Sequence, residues 1–189
     1  MTEPKRIDLP ISRETLADLV AGDEVRLFGD VFTARDATHA RLLAELERGG
    51  ELPYGLVGQT LFYAGPTPAA AGRPSGAVGP TTAKRMDAAT PSLMRAGIVA
   101  TIGKGARAPE VAQACVETGG VYFAAVGGAA ALLATFVTDV STVAYPELGT
   151  EALMRMRLEG LPAFVATDTR GNDLYREAPA AWREERGER

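Results

Sequence analysis

Apolar positions along this chain recur with two periods, and the switches between them mark the elements. Alternation in Val25-Arg26-Leu27-Phe28, resumed in Val31-Phe32-Thr33 beyond Gly29-Asp30, predicts a hairpin. Ser12 is placed to cap a short helix over residues 13–20, with an early acid at Glu14 and Gly22 beyond its end. A second helix is expected from Asp36 through Glu47, stopped by Gly49-Gly50. Thr60-Leu61-Phe62-Tyr63-Ala64 reads as a strand, and residues 66–77, rich in Pro, Ala and Gly, read as a mobile loop. A helical pattern then runs to about Arg95, with a break or restart at Pro91.

From there strand and helix alternate. Residues 98–102 and 121–125 are predicted strands, separated by a helix that begins near Pro109 and ends before Gly119-Gly120. Gly127-Gly128 leads into a helix over residues 129–136, and strands follow at 140–144, 154–158 and 163–167. Arg170-Gly171-Asn172-Asp173 is a tight turn. The pattern predicts one α/β domain with a mixed sheet over residues 1–176, and a charged tail over 177–189 that is either a frayed helix or disordered.

Composition narrows the function classes. With 189 residues, 46% of them hydrophobic, the chain is long enough to bury a core as one domain. A net charge of −4 argues against nucleic acid as a partner. No apolar run approaches the roughly 18 residues that cross a bilayer, and Met-Thr-Glu-Pro-Lys-Arg has no signal-peptide core, so a cytoplasmic protein without membrane contact is expected. The single cysteine, Cys115, excludes an internal disulfide and reads as part of the apolar face of a helix. Iron–sulfur clusters are usually held by three or four cysteine thiolates, so this chain cannot hold one alone.

Candidate chemistry gathers at three turns. Gly79-Pro80-Thr81-Thr82 delivers two adjacent hydroxyls and then Arg85, four residues after Thr81 and so near one face of any helix begun there. One hydroxyl could cap that helix, though hardly both. Gly103-Lys104-Gly105 follows a strand, where open α/β sheets place ligands, and it matches neither a Walker motif nor a dinucleotide fingerprint. Arg35 lies where a strand hands over to a helix, so its guanidinium could join helix N–H groups in a fork around a carboxylate, or simply pair with Asp36 or another acid. His39, one turn beyond Asp36, is expected to orient the loop that carries this arginine rather than to react, and Arg73 in the 66–77 loop reads as solvated surface.

The Arg35-Asp36-x-x-His39 stretch, Gly79-Pro80-Thr81-Thr82 with Arg85, Gly103-Lys104-Gly105 with Arg107, and Tyr145-Pro146-Glu147-Leu148-Gly149 together resemble class I, iron–sulfur-dependent fumarate hydratases. The likeness is to their β subunit or C-terminal domain and runs from about residue 10 to 175. It implies a swivelling β/β/α architecture and a partner α subunit, in an α2β2 assembly, that bears a 4Fe–4S cluster. It also implies hydration of fumarate to (S)-malate, with Thr81 as the proton-transfer residue and Arg35, Arg85 and Lys104 binding a small dicarboxylate substrate. One departure from the pattern is Ala129, where many relatives have Pro. L-tartrate dehydratase β subunits are similar but tend to lack the arginine found here as Arg107. A third alternative is a dicarboxylate-binding or assembly module without catalysis, which would keep the arginines and need no Thr81.

Overall fold

The computed structural model describes residues 3–187. Seven strands form one mixed sheet in the order β1-β2-β3-β4-β5-β7-β6. They are β1 (Lys5–Leu9), β2 (Glu24–Thr33), β3 (Thr60–Phe62), β4 (Ala100–Gly103), β5 (Val121–Ala124), β6 (Val137–Ala144) and β7 (Leu153–Thr167). The first five run parallel, and β7 runs antiparallel to both β2 and β5. Because β2 and β7 also pair, the strands β2, β3, β4, β5 and β7 close into a small barrel-like ring.

Closure demands strands that are apolar on both sides. Leu61, Phe62 and Tyr63 alternate between two buried clusters, as do Tyr122 and Phe123. Phe62 and Phe123 join Leu27, Ile102, Leu158 and Val165 in one cluster; Leu61, Tyr63 and Tyr122 join Leu42, Met86 and Leu93 in the other. The helices α2 (Asp36–Glu47) and α3 (Thr90–Arg95) lie over this second cluster, to which they contribute Leu42 and Leu93. The remaining helices are α1 (Arg13–Asp18), capped by Ser12 as its sequence predicts, α4 (Pro109–Thr118), α5 (Ala130–Leu133) and α6 (Leu174–Glu185). Residues 66–77 hold neither helix nor strand, and the two ends of that loop are tied where Thr67 N–H donates to the Ala77 carbonyl.

Several expected elements differ. No hairpin turns at Gly29-Asp30: β2 runs through, with Gly29 at φ +111° pairing with Leu9 of β1 and Leu158 of β7. The two strands expected at 154–158 and 163–167 are one strand, β7, in which Gly160 bulges out at φ +77° between the Leu27–Leu161 and Phe28–Glu159 pairs. Both errors have one cause: a glycine at positive φ re-aims a strand as readily as it turns it. β1 has no counterpart in the sequence reading. The helix expected after Thr82 shortens to a 3-10 turn at Ala83–Met86 followed by α3, with Pro91 in its first turn. The helix expected over 129–136 divides into α5 and a 3-10 turn, Ala134–Phe136. In the expected tail, α6 begins before residue 177, with Asp173 capping it by accepting the Tyr175 N–H.

A Cβ at Gly29 would stand 2.6 Å from the Leu9 carbonyl oxygen, in a backbone conformation that L side chains rarely adopt. Gly29→Ala is therefore expected to cost more than about 1 kcal/mol, read by urea denaturation. Amide exchange should quicken first in β1, since its pairing with β2 is what the methyl group pushes apart. Unchanged stability would show that the strand can shift at no cost.

Candidate functional site

Parallel strands bring their C-terminal ends to one edge, and each of β2, β3, β4 and β5 releases a candidate segment there. Arg35 follows β2, Gly65 follows β3, Lys104 follows β4 and Gly127 follows β5. The Gly79–Thr82 turn docks between the ends of β3 and β4 through two isolated bridges, Ala64 with Pro80 and Thr82 with Lys104. Thr81 N–H donates to the Tyr63 carbonyl at 2.6 Å, Lys104 N–H to the Thr81 carbonyl at 3.2 Å, and Ala83 N–H to the Lys104 carbonyl at 2.9 Å. The main chains of Thr81 and Lys104 are thereby fixed against one another.

The glycines of Gly103-Lys104-Gly105 have different tasks. A Cβ at Gly103 would stand 3.0 Å from both Ala83 and Tyr63, tighter than ordinary contact, so glycine lets the docked turn sit close. Gly105 sits at φ +85° in open space; its N–H donates to the Tyr175 hydroxyl at 3.2 Å, and its carbonyl accepts the Tyr122 hydroxyl at 2.8 Å. Burial raises the Tyr122 pKa, which keeps this hydroxyl a donor. With its backbone pinned on both sides, Lys104 passes Gly127 into a cleft of about 420 Å³. Thr82, Val126, Gly127 and Tyr175 also line that cleft, whereas Thr81, Arg35 and Arg85 do not.

Among the described residues, the Lys104 ammonium has no carboxylate partner and the Thr81 hydroxyl no hydrogen bond. Nor does the Thr82 side chain cap the 3-10 turn. The arginines differ from this. Arg85 grips the Asp36 carboxylate with two nitrogens, Nε at 3.0 Å and a terminal nitrogen. Arg35 pairs with Glu151 at 3.3 Å, and the other oxygen of Glu151 accepts the Ala37 N–H at 2.9 Å. The fork of guanidinium and helix N–H anticipated at Arg35 exists, and it holds a carboxylate from this chain. Arg35 and Arg85 are linked through the first turn of α2, and Arg85 through its own turn to Thr81 and Lys104.

Beneath lies Arg107, whose side chain is 1% exposed. Its Nε donates to Asp87 at 2.6 Å and its terminal nitrogens to Thr101 and Thr90 at 3.2 and 2.8 Å, while its plane lies 4.8 and 5.3 Å from the Tyr122 and Tyr63 ring centres. The second Asp87 oxygen accepts the Ala108 N–H at 2.7 Å. His39 is buried against the Tyr63 ring, with Nδ1 2.8 Å from the Arg35 carbonyl. That acceptor places the proton on Nδ1. Burial pushes the His39 pKa down to about 4, and the charge of Arg107 adds to the effect. At neutral pH His39 is an uncharged brace on the backbone of Arg35.

The donor set of this chain does not fit an iron–sulfur cluster. Its one thiol, Cys115, is buried, which raises its pKa to about 12, and no group of three His, Cys, Asp or Glu that could hold a metal gathers among the described residues. Among those residues no helix is long and apolar enough to cross a membrane.

The family described as "Fumarase C-terminus" matches residues 1–178. The chain is 39% identical to a class I anaerobic fumarate hydratase of Escherichia coli strain K12 over 87% of its length, and 38% identical to fumarate hydratase 2 of Leishmania major over 92%. It spans about a third of each of those relatives, 31% and 32%. It is also 34% identical to the L(+)-tartrate dehydratase subunit beta of E. coli K12, covering 92% of that subunit.

Glu151, Asp87, Tyr122 and Tyr175 carry the site's contacts and escaped the sequence reading. Each acts on a residue distant in the chain, and no local spacing signals it.

Removing Asp87 leaves a buried guanidinium without its counter-charge. Asp87→Ala is expected to lose about 3–5 kcal/mol in denaturant titration; a loss under about 1 kcal/mol would mean that water or another acid replaces the carboxylate. His39 gives a pH signature. Its folded pKa, about 4, lies below the ordinary 6.5, so between those values the unfolded chain binds more protons. Its contribution is fully present above pH 6.5 and declines as pH falls toward 4, by up to about 3 kcal/mol. The wild-type-minus-variant difference for His39→Phe should trace that slope; parallel profiles would refute it.

Proposed function

The chain belongs to the fumarase C-terminus family, and on that premise we propose that it is the β subunit of a two-subunit class I fumarate hydratase, interconverting fumarate and (S)-malate. The observation that carries this reading is the junction of Thr81 and Lys104 through main-chain hydrogen bonds at the C-terminal edge of the parallel strands, with Arg85 four residues beyond Thr81. In this reading Arg35 and Arg85 bind the carboxylates of the substrate as charge-assisted forks, and Lys104 supplies a point charge. Thr81 moves the proton at the carbon next to the one that carries the hydroxyl. Proton removal beside a carboxylate gathers negative charge on its oxygens, and fixed cations aimed there stabilise the transition state more than the ground state. A threonine hydroxyl is a poor base alone, so this role needs cations such as Arg85 and Lys104 to favour its ionised form, or a partner that takes its proton.

A partner α subunit would hold the 4Fe–4S cluster and complete the site, in a cytoplasmic α2β2 assembly. The chain spans about a third of the fumarate hydratases it matches. The swivelling β/β/α type belongs to the same proposal. A second reading, the β subunit of an L-tartrate dehydratase, is favoured by the 92% coverage of that free-standing subunit. Arg107 is buried away from the Lys104 cleft, so its presence bears on support of the site rather than on contact with either substrate.

Co-expression with a candidate α subunit, followed by assay on fumarate and tartrate, separates the two readings: the favoured reading fails if only tartrate is consumed. Within the active pair, Thr81→Val is expected to lower kcat by about 100-fold or more with a modest change in KM. Arg85→Lys keeps charge but loses the fork, so KM should rise clearly. A Thr81→Val protein of normal turnover and lowered Tm would reduce Thr81 to a structural role.

A further inference from the structure

Both arginines assigned to substrate are held from behind by carboxylates of the chain itself. We propose that Glu151 and Asp36 are positioning residues, which fix the guanidinium planes of Arg35 and Arg85 so that the terminal N–H groups left over meet a dicarboxylate. The inference rests on the functional reading above and adds two residues to it.

Glu151 is anchored too firmly to be a displaceable stand-in for substrate. One carboxylate oxygen meets Arg35 at 3.3 Å and the other caps α2 through the Ala37 N–H at 2.9 Å. Its main-chain carbonyl accepts the Thr38 hydroxyl, and the next carbonyl, of Ala152, accepts that of Thr33. Expelling the carboxylate would uncap the helix and disturb a segment tied to two elements. Among the described residues, one terminal nitrogen of Arg35 meets the Glu151 carboxylate. The other lies over Gly65, where a Cβ would stand 2.8 Å away, and the Nε is buried without a partner among the described residues. Gly65 thus leaves the guanidinium a flat bed, and Glu151 fixes its rotation.

Asp36 does the same for Arg85. It engages Nε and one terminal nitrogen, leaving the far terminal nitrogen without a partner among the described residues. Asp36 and the Ala37 amide are neighbours in the first turn of α2, so one helix end sets both arginines. Orientation matters because a planar fork is only as selective as its angle, and holding it beforehand removes rotamer entropy that binding would otherwise cost.

The experiment uses the assembled α–β pair and fumarate. Glu151→Gln and Asp36→Asn keep the size and an acceptor oxygen, so the helix cap and fold should persist; circular dichroism and Tm check this. Each is expected to raise KM about tenfold while kcat stays within about threefold. In an Arg35→Ala background Glu151→Gln should then add nothing to KM, a coupling that a merely structural role would not produce. A lower KM in Glu151→Gln would show a competing internal carboxylate and overturn the proposal, as would an unchanged KM or full additivity. Should the wild-type pair leave fumarate untouched, the functional reading itself falls and takes this inference with it.

Discussion

The guanidinium of Arg107, buried between two tyrosine rings, sets conditions that most of the site obeys. A buried cation is tolerated only where its donors meet acceptors and a counter-charge lies close. Here the acceptors come from separate segments: Asp87 after the 3-10 turn, Thr90 at the start of α3, and Thr101 in β4. Satisfying one side chain therefore requires those segments to converge. The same tyrosines carry the constraint upward, since the Tyr63 carbonyl receives Thr81 and the Tyr122 hydroxyl holds Gly105. Such a pair contributes little as raw stability compared with a packed apolar core, and its value here is geometric.

Above that base, charge is arranged in tiers. Arg35 and Arg85 are each paired with a carboxylate, Glu151 and Asp36, whereas Lys104 enters its cleft without one among the described residues. Three unpaired cations brought to one edge would repel one another and wander through rotamers. Two internal carboxylates reduce the repulsion and fix the two planar groups, and the compact ammonium, which needs no angular guide, is left free. The cleft itself contains Lys104 and Thr82 but neither arginine. In the proposed assembly, the partner subunit would supply the wall that joins these parts into one cavity.

What the sequence determined by itself was local. The helix caps at Ser12 and the punctuation at Gly49 and Gly119 were legible because capping and left-handed turns depend on near neighbours. The Gly-Lys-Gly and Gly-Pro-Thr-Thr turns were legible too, as places where backbone and cation come close, and their likeness to one family was carried by those same residues. Tertiary structure decided everything that depended on a partner. Gly29 and Gly160 look identical to turn glycines in the sequence, and became a through-strand residue and a bulge only because β1 and β7 pair with β2. Arg35 was poised between a ligand carboxylate and an acid of the chain, Asp36 or another, and it meets Glu151, brought to it by the segment leading into β7. Propensity and spacing act over a few residues, whereas a charged side chain pairs with whichever partner folding brings within reach. That partner is set by the register of the closed sheet.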